Sequence, residues 1–312
     1  MNHLPFPPTP VTPLSYYSRV IGCNLSCKRD DLFTDACGGN KARMLQFILF
    51  KLKEEDYDVV VTAGPESSNF NRACALMCSK LGVQLHLVVY SSFIEGEEKS
   101  LNYDICKWLN TTITNCLKID VSQTIQQVVS SYRDKKVLVI YGGGRSLEGV
   151  YAYYDAVKEL SQQVSSLDHL FVACGTGTTL AGICAGMQCF FPKAQVHAIS
   201  VSRLYEEERH VLEQDMQWLN DYLGTNYSYS NLSFSDSYLC GGYGLYNEGL
   251  LKTIQDIVSH EGIVLDPCYS GKAWYGMINL IHDKIDIYKG KDVLFWHTGG
   301  FFNFLSSLWR MK

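Results

Sequence analysis

The feature that most constrains this 312-residue chain is a rhythm of short β-branched or apolar runs, each stopping at a cluster of small residues and usually followed by a helical pattern. Val59 to Thr62 ends at Ala63-Gly64, and Asn69 to Leu81 then carries helix periodicity. Leu170 to Ala173 ends at Gly175, with a helix opening near Thr179. Val137 to Tyr141 ends at three glycines, 142 to 144; Leu85 to Tyr90 ends at Ser91-Ser92. Val196 to Val201 ends at Ser202, and Val293 to Trp296 at His297-Thr298-Gly299-Gly300. Strand, small-residue turn and helix, repeated, predict an α/β fold with mainly parallel sheets flanked by helices. Parallel strands are covered on both faces, so near-continuous apolar runs are their expected form. Ligands of open sheets sit beyond the carboxyl ends of the strands, which is where the Gly, Ser and Thr clusters fall. The stretch from Tyr205 to Ser237 is the least patterned and is expected to be a helical excursion or a mobile cover.

Composition narrows the function. The length suggests about two domains of the usual size. Against 32 acidic residues stand 27 Lys and Arg, scattered without a run, for a net charge of -5. That balance matches neither nucleic acid nor an anionic membrane surface, so a small-molecule partner is expected. The N-terminus, MNHLPFPPTPVTPL, has no basic segment leading into an apolar one and does not read as a secretory signal. Most of the twelve cysteines lie in apolar runs, as Cys74, Cys78, Cys106 and Cys184 do, where a thiol behaves as a small hydrophobe. Cys23 and Cys27 have no matching second pair or nearby His, so no metal is expected. A cytoplasmic location fits this usage.

Three segments carry candidate chemistry. In FVACGTGTTLAG, Gly175, Thr176, Gly177, Thr178 and Thr179 join a strand to a helix. Glycines let successive N–H groups converge, hydroxyls add donors, and the helix start adds positive potential; together they make an anion cradle. A plain strand-to-helix turn would use similar residues. In KRDDLFTDACGGNKAR, Lys41 follows two glycines and an Asn at the start of an apolar helical segment, Met44 to Leu52. The helix start and burial should both lower its pKa toward a nucleophilic amine; a surface lysine on an amphipathic helix is the alternative. In TAGPESSNFNR, Ser67, Ser68 and Asn69 stand between strand and helix, where an N-cap explains them equally well.

Taken in order, GGNKAR, SSN, GTGTTLAG, DPCYSGKA and HTGG resemble the fold-type II pyridoxal-phosphate (PLP) enzymes, from about Pro7 to Gly300. The branch most similar is the D-cysteine desulfhydrase and 1-aminocyclopropane-1-carboxylate deaminase family. The resemblance implies a tryptophan synthase β-like fold of two open twisted sheets. It implies a large PLP-binding domain over residues 1–45 and 151–312, a small domain over 46–150, and a homodimer. Lys41 matches the lysine that holds PLP as a Schiff base, and Asn69 the Asn on the cofactor's phenolic oxygen. Gly175 to Thr179 match the phosphate loop, and Ser68 the serine beside the reacting carbon. Tyr269 matches the active-site tyrosine, and Tyr243, in GGYG, falls in a segment near the substrate, as do Ser67, Ser68 and Asn69.

The residue after the tyrosine divides the family. Deaminases carry Glu there against the pyridine nitrogen; this chain has Ser270, with Thr298 in HTGG. A hydroxyl leaves the ring a shallower electron sink, which suits β-elimination better than ring opening. The expected activity is therefore a PLP-dependent lyase that removes an α-proton from a small amino acid, such as D-cysteine, and expels a β-substituent. The rival readings are a β-replacement synthase, the cyclopropane-opening deaminase, and a catalytically silent PLP-fold binding protein. The chain departs from the resemblance at Thr178, Cys268, Pro65-Glu66-Ser67 and Phe70. Glu66 and Phe70 bear on the substrate carboxylate region, where Glu66 would repel. His297, ending a buried strand, is read as structural.

Overall fold

The structure, a computed structural model, describes residues 1–90, 100–109 and 111–310. Among the described residues, ten strands form two sheets: β1 (Val11–Pro13), β2 (Asn24–Arg29), β3 (Val59–Pro65), β4 (Gln84–Tyr90), β5 (Thr112–Cys116), β6 (Val137–Ile140), β7 (His169–Cys174), β8 (Gln195–Ser200), β9 (Leu232–Ser235) and β10 (Asp292–His297). The six-stranded sheet has the order β1-β2-β10-β7-β8-β9, and the four-stranded sheet β5-β4-β3-β6. Every pairing is parallel except β1 with β2. Helices flank both sheets, as expected for an α/β fold.

The central strands are buried along their length. β7 (HLFVAC) is buried at all six positions, and β3 (VVVTAGP) at all but the last. This is the physical counterpart of the unbroken apolar runs. The helices Leu147–Ser161 and Thr178–Phe190 pack closely because Gly182 and Gly186 leave room. A Cβ at Gly182 would stand 2.2 Å from the Val150 carbonyl oxygen, and one at Gly186 2.6 Å from Val157 Cβ. That packing braces the helix start facing the site.

Several elements depart from the sequence expectation. The segment from Met44 to Leu52 is not one helix: Asn40–Ile48 ends before a separate short turn, Lys51–Glu54. The region Tyr205 to Ser237 holds a 19-residue helix, Tyr205–Leu223, and edge strand β9. Leu212, Met216 and Leu219 on that helix are buried, so its apolar face packs inward although its first turn is acidic. β1, β2, β5 and β9 had no clear run to announce them. The Ser91-Ser92 turn lies outside the described residues.

Candidate active site

The carboxyl ends of strands from both sheets meet around a cavity of about 670 Å³. Its wall takes Ala63 to Pro65 from β3, Tyr90 from β4, Ala173 and Cys174 from β7, and Thr298 and Gly299 beyond β10. This is the position that open parallel sheets favour for ligands. The volume suits a cofactor together with a small substrate.

Lys41 is the second residue of the Asn40–Ile48 helix and lines this cavity. Its Nζ donates to the Gly143 carbonyl at 2.9 Å. Burial lowers its pKa from 10.5 to about 8, so a substantial neutral fraction exists near neutral pH. The helix start is fixed by backbone bonds from Gly39 N to Asp30 O (2.8 Å) and from Asn40 N to Thr298 O (2.9 Å). The facing Gly299 must be small: a Cβ on it would lie 2.7 Å from the Gly39 Cα. Two residues on, the buried Arg43 anchors the helix through Asp30 and Glu159, with ion pairs at 2.8 and 2.9 Å.

The segment after β7 reaches the same cavity. Gly175, Thr176, Gly177 and Thr179 line it. The Thr178–Phe190 helix begins after Gly177, whose φ of 79° is one that side-chain-bearing residues rarely adopt, and no side chain caps it. Its first-turn N–H groups have no partner within the helix and are available to an anion. Asn40 Nδ2 donates to Thr179 Oγ1 at 3.0 Å, tying the lysine's helix to this loop.

Ser68 and Asn69 also line the cavity, at the start of the Asn69–Leu81 helix. Ser68 Oγ accepts the Asn71 N–H at 3.1 Å, so the N-cap is formed by a residue that also faces the cavity. Asn69 Oδ1 accepts from Asn102 Nδ2 at 3.1 Å, which fixes the amide's orientation. The hydroxyls of Tyr243 and Tyr269, which also line the cavity, lie 2.5 Å apart. Burial, then the neighbouring Tyr243, pushes Tyr269 well above the usual phenol range, so it stays protonated.

Three residues expected in contact with cofactor or substrate do not present their side chains to the cavity. Ser270 is fully buried; its Oγ donates to Asp266 Oδ1 at 2.7 Å and accepts the Asp266 N–H at 3.0 Å. Of the two hydroxyls considered for the ring nitrogen, Thr298 lines the cavity and Ser270 does not. The turn around Asp266, which accepts the N–H groups of Cys268, Tyr269 and Ser270, rotates Ser270 inward. Thr178 is wholly buried and does not line the cavity; its hydroxyl faces the buried Asp215 instead. Ser67 offers its carbonyl to Asn102 Nδ2 at 2.9 Å, and its side chain interacts with Tyr243 instead. Glu66 does not line the cavity, whereas Phe70 does. His297 is buried, with Nε2 2.9 Å from the Val264 carbonyl oxygen and Nδ1 accepting the Gly299 N–H at 3.1 Å, bonds that hold the turn.

The sequence reading missed Tyr90, Lys118, Cys174 and Arg203, all of which line the cavity. Each lies at or just past the end of a strand, which is the signal that could have drawn attention to them.

A buried amine of lowered pKa, an open helix start and a cavity of this size fit a phosphorylated aldehyde such as PLP. A family model described as pyridoxal-phosphate dependent enzyme matches residues 4–299. D-cysteine desulfhydrase of Yersinia pestis (strain Pestoides F) is 31% identical over 303 residues, covering 94% of this chain and 91% of the relative. The mitochondrial bifunctional D-cysteine desulfhydrase/1-aminocyclopropane-1-carboxylate deaminase of Arabidopsis thaliana is 29% identical, covering 94% and 76%. A crystal structure of an ACC deaminase homologue superposes with a TM-score of 0.88 at 29% identity, covering 100% of this chain and 95% of that one. Serine racemase from Dictyostelium discoideum shares the fold at a TM-score of 0.70 and 18% identity, covering 95% and 93%. A matched amine and anion cradle, a family model spanning nearly the whole chain and relatives of this similarity lead to one conclusion: the chain belongs to the pyridoxal-phosphate dependent enzymes.

Proposed function

We propose that this enzyme is a lyase acting on a small amino acid by α-proton removal and β-elimination, in the manner of a D-cysteine desulfhydrase. The observation that carries the reading is the convergence of Lys41, the open Thr178–Phe190 helix start and the Tyr243–Tyr269 pair on one cavity. When bound, PLP supplies an aldehyde for the lysine amine and a ring that accepts the electron pair freed at the α-carbon. Lys41 holds the cofactor and, once released by substrate, takes the α-proton on Nζ. The N–H groups and hydroxyls of Gly175 to Thr179 hold the phosphate, Thr178 contributing through its backbone. Asn69 would hydrogen-bond the cofactor's phenolic oxygen, and Thr298 would offer its hydroxyl to the ring nitrogen. Ser68, which faces the cavity while capping its helix, would handle a proton beside the reacting carbon, and Asn69 would meet the substrate next to it. Tyr269, kept protonated, gives a proton to the departing group, and Tyr243 shares and restores it. Ser67 and Ser270 act one step back, through Tyr243 and Asp266.

No Asp or Glu lines the cavity among the described residues, which supports a ring nitrogen without a carboxylate partner and thus elimination over ring opening. The sheets support a small domain over 46–150 set into a larger one of 1–45 plus 151–312. All twelve cysteines are free, which supports a cytoplasmic location; a homodimer completes the reading. No described helix is long and apolar enough to cross a membrane. The test is D-cysteine added to protein loaded with PLP. Pyruvate and sulfide in equal amounts are expected, and full turnover by Lys41→Ala would overturn the assignment.

A further inference from the structure

Asn69 lines the cavity, and its amide oxygen is held by a residue that does not. That residue, Asn102, sits on the helix Leu101–Trp108, is 1% exposed, and stands where four groups converge. Its Nδ2 lies 2.9 Å from the Ser67 carbonyl oxygen, 3.1 Å from Asn69 Oδ1 and 2.9 Å from Asn303 Oδ1. Its Oδ1 accepts from Arg72 Nε at 2.9 Å. The proposed reaction gives neither Asn102 nor Arg72 a role.

The chemistry of these partners decides which way each amide faces. A guanidinium only donates and a backbone carbonyl only accepts. The Asn102 oxygen must therefore face Arg72, and its NH2 group must face Ser67 and Asn69. Asn69 can meet that NH2 only with its own oxygen, which leaves both Nδ2 hydrogens of Asn69 for the cavity. Arg72 is itself fixed in place. It is 3% exposed, its Nη1 donates to the Ala36 carbonyl in the segment before Lys41, and its Cζ stands 4.7 Å from the Phe302 ring centroid. Burial lowers its pKa to about 10, and no described carboxylate acts on it. The cation is thus still charged at neutral pH, and Asn102 receives part of its donor set in place of a counter-ion.

Resting on the place given above to Asn69 at the cofactor's phenolic oxygen, we propose that Asn102 is a positioning residue for cofactor binding. Oriented by Arg72, it holds the Asn69 amide with the donor end toward the cavity. Asn102 lies outside the cavity and acts through Asn69 alone. With the amide held this way the phenolic oxygen meets N–H groups; with the amide turned over it would meet another oxygen.

The experiment compares the parent enzyme, Asn69→Ala, Asn102→Asp and the double variant. Fluorescence titration of the cofactor-free proteins measures PLP affinity, and pH titration of the visible band reads the phenolic oxygen's surroundings. A carboxylate at 102 keeps the bond from Arg72 and gives that cation a counter-ion, so folding should persist, which urea unfolding checks. It cannot donate to Asn69, whose amide should turn over. PLP should then bind about tenfold more weakly, and the midpoint of the band should rise by about one pH unit, because the anionic oxygen loses its donor. Asn69→Ala alone should have effects of similar size. Adding Asn102→Asp to Asn69→Ala should change PLP affinity by less than about twofold, since no amide is left to turn. Asn102→Ala, made with and without Asn69→Ala, repeats the cycle without a new charge. Equal losses with and without the Asn69 side chain mark a merely structural role and overturn the proposal, as does unchanged PLP affinity in Asn102→Asp. If Asn69→Ala itself leaves affinity and band unmoved, the placement of Asn69 at the phenolic oxygen fails, and the proposal falls with it.

Discussion

Two strand-to-helix turns in this protein look alike in sequence and do opposite things with the helix start. After β3, Ser68 folds its hydroxyl over the Asn71 N–H and closes the Asn69–Leu81 helix with its own side chain. After β7, Gly177 takes a positive φ, offers no side chain, and leaves the Thr178–Phe190 helix start open. The Lys41 helix resembles the second case, with Gly39 at its cap and no side-chain bond. A self-capped start is stable without a ligand. An open one keeps its N–H groups unsatisfied until an anion or a neighbouring loop meets them. The difference separates positions where a substitution costs stability from those where it costs cofactor.

The largest expected effect lies at the open starts. Replacing Lys41 by Ala should lower turnover by about a thousandfold or more and abolish the visible band of the lysine-bound cofactor, read by stopped assay and absorbance. Gly177→Ala comes next. A Cβ there would sit 2.7 Å from Glu208 Oε1 in a backbone region costly to other residues, and about 1–2 kcal/mol of strain translates to roughly tenfold weaker PLP binding. Fluorescence titration of the cofactor-free protein measures it.

The closed start gives a sharper contrast. Ser68→Ala removes the cap and should cost about 1 kcal/mol of stability in urea unfolding, together with activity. Ser68→Asn restores a capping oxygen but not a hydroxyl, so stability should return while turnover stays low. Recovery of both would reduce Ser68 to a cap.

Protonation of Lys41 gives a further test. Its folded pKa of about 8 lies below the unfolded 10.5, so between those values the folded state binds fewer protons than the unfolded one. Stability of the cofactor-free protein should therefore rise from pH 8 toward 10.5 and gain nothing from this group below 8. The slope should be missing from Lys41→Met, compared by urea midpoints. Cofactor uptake needs the neutral amine and should slow about tenfold per unit below pH 8. The smallest effect separates adjacent threonines. Thr179→Val loses the Asn40 bond and a cavity-facing hydroxyl, and should weaken PLP by about threefold to tenfold. Thr178→Val should leave PLP affinity within about threefold, since its hydroxyl points away from the cavity; an equal loss at both positions would break the distinction.

Local pattern made much of this protein legible. β3, β4, β7 and β10 are continuous apolar runs, and runs of that kind stand out because both faces of a parallel strand are covered. Lys41 and the glycine-threonine loop could be picked out as candidates because open helix starts demand glycine, and both line the cavity. β1, β5 and β9 were harder to see: each is an edge strand of at most five residues, only partly buried, with little periodicity to detect. Tyr90, Lys118 and Arg203 were missed because a residue past a strand end carries no local mark of the cavity it will face.

What the chain by itself determined is the set of turns: which strands stop at small residues, which helix starts lack a capping side chain, and where an amine stands beside two glycines. Those are matters of backbone sterics and of residues a few positions apart. Which side chains meet was decided only by the tertiary structure. The Asp266 turn swings Ser270 away from the cavity while leaving Tyr269 in it, and two sheets bring Lys118 and Arg203 into the lining of one cavity from positions 85 residues apart. Direction and distance across a cavity depend on packing between distant elements, and no local pattern encodes them.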